Sequence, residues 1–132
     1  MITAIKFLEK QTKVVIALSE NNRPYVRVLQ ILKFENNTLY FALPKTDRIH
    51  NQLKKNPMVE LLSRQGNTSV KIEGTVSFDV PMEIKKEALC TIPILQGLHR
   101  STDELTYFKI PIKKMEYYDL NTIPPTLLSH II

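Results

Sequence analysis

Glycine is scarce in this sequence, at 3 residues in 132. A dinucleotide fingerprint or a P-loop needs closely spaced glycines so that backbone N–H groups can wrap a phosphate, and neither motif is present. Any phosphate bound here must be held by side-chain cations or a helix end. Cysteine is nearly absent too, since Cys90 stands alone within Ala88-Leu89-Cys90. An intramolecular disulfide and a cysteine-based metal framework are thereby excluded, and Cys90 reads as a small core residue. No apolar run approaches the roughly 20 residues a membrane-spanning helix needs. Met1–Lys10 has neither a long apolar core nor a small-residue cleavage site, so no signal peptide is expected and a cytoplasmic location is. His50, His99 and His130 share no ligand spacing with one another or with carboxylates, so no metal is expected. Nothing resembles a nucleophile elbow, and Asp103-Glu104 falls in an expected loop. No catalytic side chain is assigned, so any chemistry would come from a bound cofactor.

What is present describes an ordinary globular chain. Hydrophobic residues make up 43% and charged residues 23%, and 132 residues suffice for one domain with a sizeable core. The net charge is +5. Six of the 13 lysines sit in short runs, Lys54-Lys55, Lys85-Lys86 and Lys113-Lys114, and there is no basic stripe or tail. Tyr and Phe do not alternate with Lys and Arg along one exposed strand, so a nucleic-acid partner is not expected.

Periodicity predicts the element order. Thr3–Lys10 forms a short amphipathic helix, and Lys13–Ser19, Tyr25–Phe34 and Thr38–Leu43 form strands. Glu20–Pro24 and Glu35–Asn37 are the turns between them. A helix over Asp47–Asn56, stopped by Pro57, precedes strands Met58–Ser63 and Ser69–Phe78. Gly74 inside the latter predicts a bulge or a close backbone approach. Pro81 opens a helix through Leu89, a helical piece covers Ile94–His99, and Leu105–Leu120 follows as one long strand bent or edge-placed at Pro111. About six mostly antiparallel strands with short flanking helices predict a mainly β, small barrel. Residues 1–120 form the domain, and 121–132 an apolar tail packed on this chain or a partner.

Two places carry candidate chemistry. Thr46 is placed to cap the second helix, yet Lys45 and Arg48 flank it. Cations are unfavourable beside the free N–H groups of a helix start, by a few tenths to about 1 kcal/mol each. Either both side chains turn into water, or an anion, with a phosphate best suited, rests there. In the second strand, alternation puts Tyr25, Arg27, Leu29 and Ile31 on one face and Val26, Val28, Gln30 and Leu32 on the other. Arg27 is thus a cation among apolar neighbours: a snorkelling edge residue, or a paired donor to a carboxylate or phosphate.

Pro24–Leu32 (PYVRVLQIL), Thr38–Leu43 (TLYFAL), Arg48–Leu62 (RIHNQLKKNPMVELL) and Val70–Phe78 (VKIEGTVSF) resemble the small pyridoxamine 5′-phosphate oxidase-like, FMN-binding split-barrel proteins. The likeness runs over about residues 5–120. It implies a split β-barrel, a homodimer with two FMN sites at the subunit interface, and flavin-dependent oxidoreductase activity. It also implies that Arg27, Val28, Leu29 and Gln30 lie along the flavin, with Arg27 on the phosphate or ring. By the same resemblance Arg48 holds the phosphate, Lys45 and Thr46 assist it, Leu43 stands where a Thr is common, and Ser69 approaches the flavin. Leu43-Pro44 in place of Thr-Asn removes a hydroxyl and an N–H donor, and Ile49 replaces a second cation. By the same resemblance, the substrate-binding C-terminal extension of the full-length oxidases is not expected in this protein. These departures keep a second expectation open, a ligand-binding or sensing barrel that uses haem or another flavin-like cofactor.

Overall fold

In β1 (Lys13–Glu20) Val14, Ile16 and Leu18 are buried while Lys13, Val15 and Ala17 face outward, the period of two that a sheet covered on one side requires. The computed structural model describes residues 2–91, 105–121 and 126–131. β2 (Arg23–Gln30) pairs antiparallel with β1 along its whole length. Asn21 and Asn22 join them with φ of 53° and 63°, the left-handed pair whose twist suits a two-residue hairpin turn. Asn36 and Asn37, at 51° and 55°, do the same between β3 (Lys33–Glu35) and β4 (Thr38–Pro44).

The strand expected over Tyr25–Phe34 is therefore two strands. The Ile31 N–H donates to the Thr12 carbonyl at 2.8 Å, and the Leu32 N–H donates to the Tyr40 carbonyl at 2.9 Å. Successive amides thus change partners, and the chain passes from one half of the barrel to the other at this corner.

After α2 (Arg48–Lys55) come β5 (Met58–Gln65), β6 (Thr68–Thr75), α3 (Met82–Thr91), β7 (Leu105–Asp119) and β8 (Thr126–Ile131), with α1 (Ile2–Glu9) at the start. The strand order is β2-β1-β5-β6-β7-β4-β3, with β8 on β7. Among the described residues this is a curled, antiparallel, split β-barrel of eight strands, where about six were expected. The additional ones are β3 and β8. Part of the expected tail is the strand β8, paired with Lys114–Asp119 of its own chain. The helical piece expected over Ile94–His99 lies outside the described residues, as do the side chains of Cys90 and His130.

β7 is the pivot. Its residues 105–111 pair with β4 and residues 112–119 with β6, and the β6 register shifts by one between Glu73 and Gly74. Gly74 sits at that shift, where an added Cβ would lie 2.5 Å from Ile110 Cγ2 and 2.8 Å from the Pro111 carbonyl oxygen. Both the bulge and the close approach expected at Gly74 are present. Ala4 and Leu8 of α1, Ile49 and Leu53 of α2, and the inward residues of the strands form one core. Phe41 and Phe108 stack within it at 5.2 Å. A smaller cluster of Val80, Leu105 and Tyr107 packs with Ile84 on the outer side of β7.

Candidate functional site

The site forms where α2 crosses β1 and β2. α2 is amphipathic, burying Ile49, Gln52 and Leu53. Its N-cap is Asp47, at φ −68° and ψ 132°, whose carboxylate accepts from the Ile49 N–H at 3.0 Å. This corrects the expectation that Thr46 caps the helix. The Asp47 N–H donates to the Pro44 carbonyl at 2.9 Å, so Thr46 lies inside a tight turn, and a carboxylate complements the positive helix end better than a hydroxyl.

Arg27 lies opposite Ile16 on the inward face of β2, together with Tyr25 and Leu29. Its guanidinium donates to the Asp47 carboxylate. Burial pushes the Asp47 carboxyl upward, but the Arg27 hydrogen bond and the Ile49 N–H outweigh it and hold the group below the usual aspartate range. Arg48 donates to Glu20 at 3.4 Å and to the Tyr25 hydroxyl at 3.2 Å, with its guanidinium 5.1 Å from the Tyr25 ring centre. The Arg48 side chain remains 69% exposed. Glu20 also accepts from Gln52 and Lys55, each at 3.4 Å. Burial raises the Glu20 pKa, and these three donors together bring it below the usual glutamate value.

His50, expected on the helix surface, is half-buried, with its ring edge-on to Phe78 at 5.4 Å. Its Nδ1 is buried without a partner among the described residues. Burial, then Lys54 and Lys45, lower its pKa.

The structure brings Arg27 and Arg48 together around Asp47, Glu20 and Tyr25. Lys45 and Thr46 are exposed on the turn just ahead of them. Leu43 is half-buried and packs on the core. Leu29 is in the core at 2% exposure, so it offers no side chain to a ligand, while Val28 and Gln30 face outward. Ser69, across from Arg64 on β5 and Tyr118 on β7, is separated from β2 by two strands. At strand spacing that is roughly 14 Å, so Ser69 is not gathered with Arg27 within one chain. Sequence reading missed Glu20, Tyr25, Gln52 and Lys55. Arg48, Gln52 and Lys55 share a helix face by their spacing, which was a usable signal.

The donor set suits a phosphate. Five cations, Arg23 and Arg27 on β2, Lys45 on the turn, and Arg48 and Lys55 on α2, stand there against two carboxylates, Glu20 and Asp47, while Lys54 lies over the Phe78 ring. Among the described residues no three His, Cys, Asp or Glu side chains gather as metal ligands, and no helix is long and apolar enough to cross a membrane.

The fold is the split β-barrel seen in pyridoxamine 5′-phosphate oxidase-like proteins, so the expected resemblance holds at the level of fold. A Clostridium acetobutylicum protein related to general stress protein 26 of Bacillus subtilis, of the pyridoxinephosphate oxidase family, superposes with a TM-score of 0.80 at 18% identity, covering 99% of this chain and 93% of that one. A FAD-binding protein from Mesorhizobium loti gives 0.71 at 17% identity over 86% and 90%. A heme binding protein from Mycobacterium smegmatis gives 0.76 at 8% identity over 97% of this chain and 56% of that one. No protein-family model and no curated protein sequence matches the chain.

Proposed function

We propose that this protein binds FMN and acts as a small, cytoplasmic, flavin-dependent oxidoreductase, as a homodimer with the flavin at the subunit interface. The observation that carries this reading is the surplus of cations around Arg27 and Arg48 at one end of a split barrel. Arg48 would hold the phosphate, with Lys45 and Thr46 beside it and Arg27 on the phosphate or ring. A bound flavin would supply the electron or hydride transfer, and the chain would orient it and screen it from water. The distance from β2 to Ser69 on β6 suits a site completed by a second copy, whose Ser69 would approach the flavin.

Purified protein should be yellow, absorbing near about 450 nm as flavins do. In an FMN titration Arg48→Ala should bind about tenfold to a hundredfold more weakly, the equivalent of one or two charged hydrogen bonds. Equal affinity in both proteins would remove the phosphate assignment.

A second reading is a non-catalytic barrel that holds haem or a related cofactor. The Mycobacterium smegmatis likeness and Leu43 in place of a hydroxyl favour it. Reconstitution with haem and with FMN side by side separates the two.

A further inference from the structure

Arg48, Gln52 and Lys55 project from one face of α2, and all three donate to a single carboxylate, Glu20, at the end of β1. Each contact is 3.4 Å long, whereas charge-assisted N–H···O bonds ordinarily measure about 2.7–2.9 Å. The Glu20 side chain is 13% exposed, while its cationic donors Arg48 and Lys55 are 69% and 67% exposed. So one sheltered anion loosely holds two largely exposed cations, and Arg48 shares its guanidinium with the Tyr25 hydroxyl. Arg23, paired with Glu20 across the hairpin, adds a third cation, 5.7 Å from the Tyr25 ring that Arg48 also covers. Asp47 is different in kind: it caps α2 and holds Arg27, and its place is fixed by the helix itself.

We infer that Glu20 is a resident counter-anion of Arg48 and Lys55 that an incoming phosphate monoester displaces, so that Glu20 sets how tightly the site takes phosphorylated ligands. This rests on the phosphate site proposed above. A dianionic phosphate can accept from Arg48 and Lys55 at normal lengths. To do so it must first take them from Glu20, and that exchange subtracts from the observed affinity.

The test is titration of the full chain, as wild type, Glu20→Gln and Glu20→Asp, with FMN and separately with inorganic pyrophosphate. Glu20→Gln removes the charge. Glu20→Asp keeps it but withdraws the carboxylate from donors already at the limit of reach. Displacement predicts that Glu20→Gln binds both ligands about tenfold tighter, with Glu20→Asp also tighter than wild type. A gain in Glu20→Gln alone would mean a plain field effect of the charge and would overturn the inference. So would the absence of a gain in either variant, or of pyrophosphate binding in all three proteins. If pyrophosphate shows the gains but no protein takes FMN, the exchange stands and the flavin reading falls. Thermal melts of each variant without ligand check that all three are folded.

Discussion

Asp47 serves two partners at once, the Ile49 N–H and the Arg27 guanidinium. Removing the carboxylate unmakes the helix cap and leaves Arg27 unpaired. Asp47→Ala should therefore destabilise the protein by about 1–2 kcal/mol in urea titration, the usual worth of a cap. Asp47→Asn keeps a capping acceptor and should lose less than about 1 kcal/mol at pH 7, since the ion pair is partly solvated. The sign with pH follows from the lowered Asp47 pKa. The folded protein releases this proton more readily than the unfolded chain, so the stabilisation is full above about pH 4 and is lost as pH falls through the folded value. Stability measured between about pH 5 and pH 3 should fall less steeply in Asp47→Asn than in wild type. Equal slopes would mean that Asp47 is not the group held in its charged form.

β7 illustrates how one element can serve two halves of a barrel. It changes partner near Pro111 and bulges beside Gly74, and the absence of a side chain at Gly74 lets Ile110 and Pro111 close against it. Gly74→Ala should cost about 1–3 kcal/mol, the range for overpacking a dense core. A denaturation midpoint unchanged from wild type would show that Ile110 and Pro111 can draw back without cost. Gly74 is legible in the sequence because a glycine weakens the interior of a strand and marks a bulge or a close backbone approach there. The hairpins are legible as well, since Asn-Asn pairs tolerate left-handed backbone, and so are the two faces of β2; those of β1 are not, because Val14–Leu18 is apolar throughout.

Other features are hidden from the sequence for physical reasons. Nothing local in Ile31-Leu32 announces that one amide turns to Thr12 and the next to Tyr40, since both acceptors are brought by tertiary folding. β8 follows Pro124-Pro125 and is short, so in sequence it has the character of a tail. In the site, Arg27 and Arg48 stand out as cations in the wrong surroundings. Glu20 does not, because its donors sit 28 to 35 residues further along the chain and meet it only when α2 folds onto β1. The pairing of Asp47 with Arg27 is equally long-range, so sequence alone does not reveal that the helix cap is also the partner of a strand cation.

In the assembled molecule, the outer face of the sheet carries Val28 (62% exposed), Val15 (36%) and Leu62 (41%) in one cross-strand row, with Val26 (69%) beside them. Apolar side chains in contiguous register are costly to leave in water, and the proposed homodimer would cover them. Sedimentation at micromolar concentration should give a dimer for the wild type and a monomer-shifted mass for Val28→Glu; a monomeric wild type would remove the interface from the proposal. At this scale the site, the interface and the cofactor depend on one proposition, that cations gathered between β2 and α2 hold the phosphate end of a flavin. Calorimetric titration of the wild-type protein with FMN and with riboflavin isolates that phosphate, since the two ligands differ in nothing else. FMN should bind at least about tenfold more tightly, as one charged hydrogen bond or more requires. Equal affinities, or preference for riboflavin, would contradict the proposition.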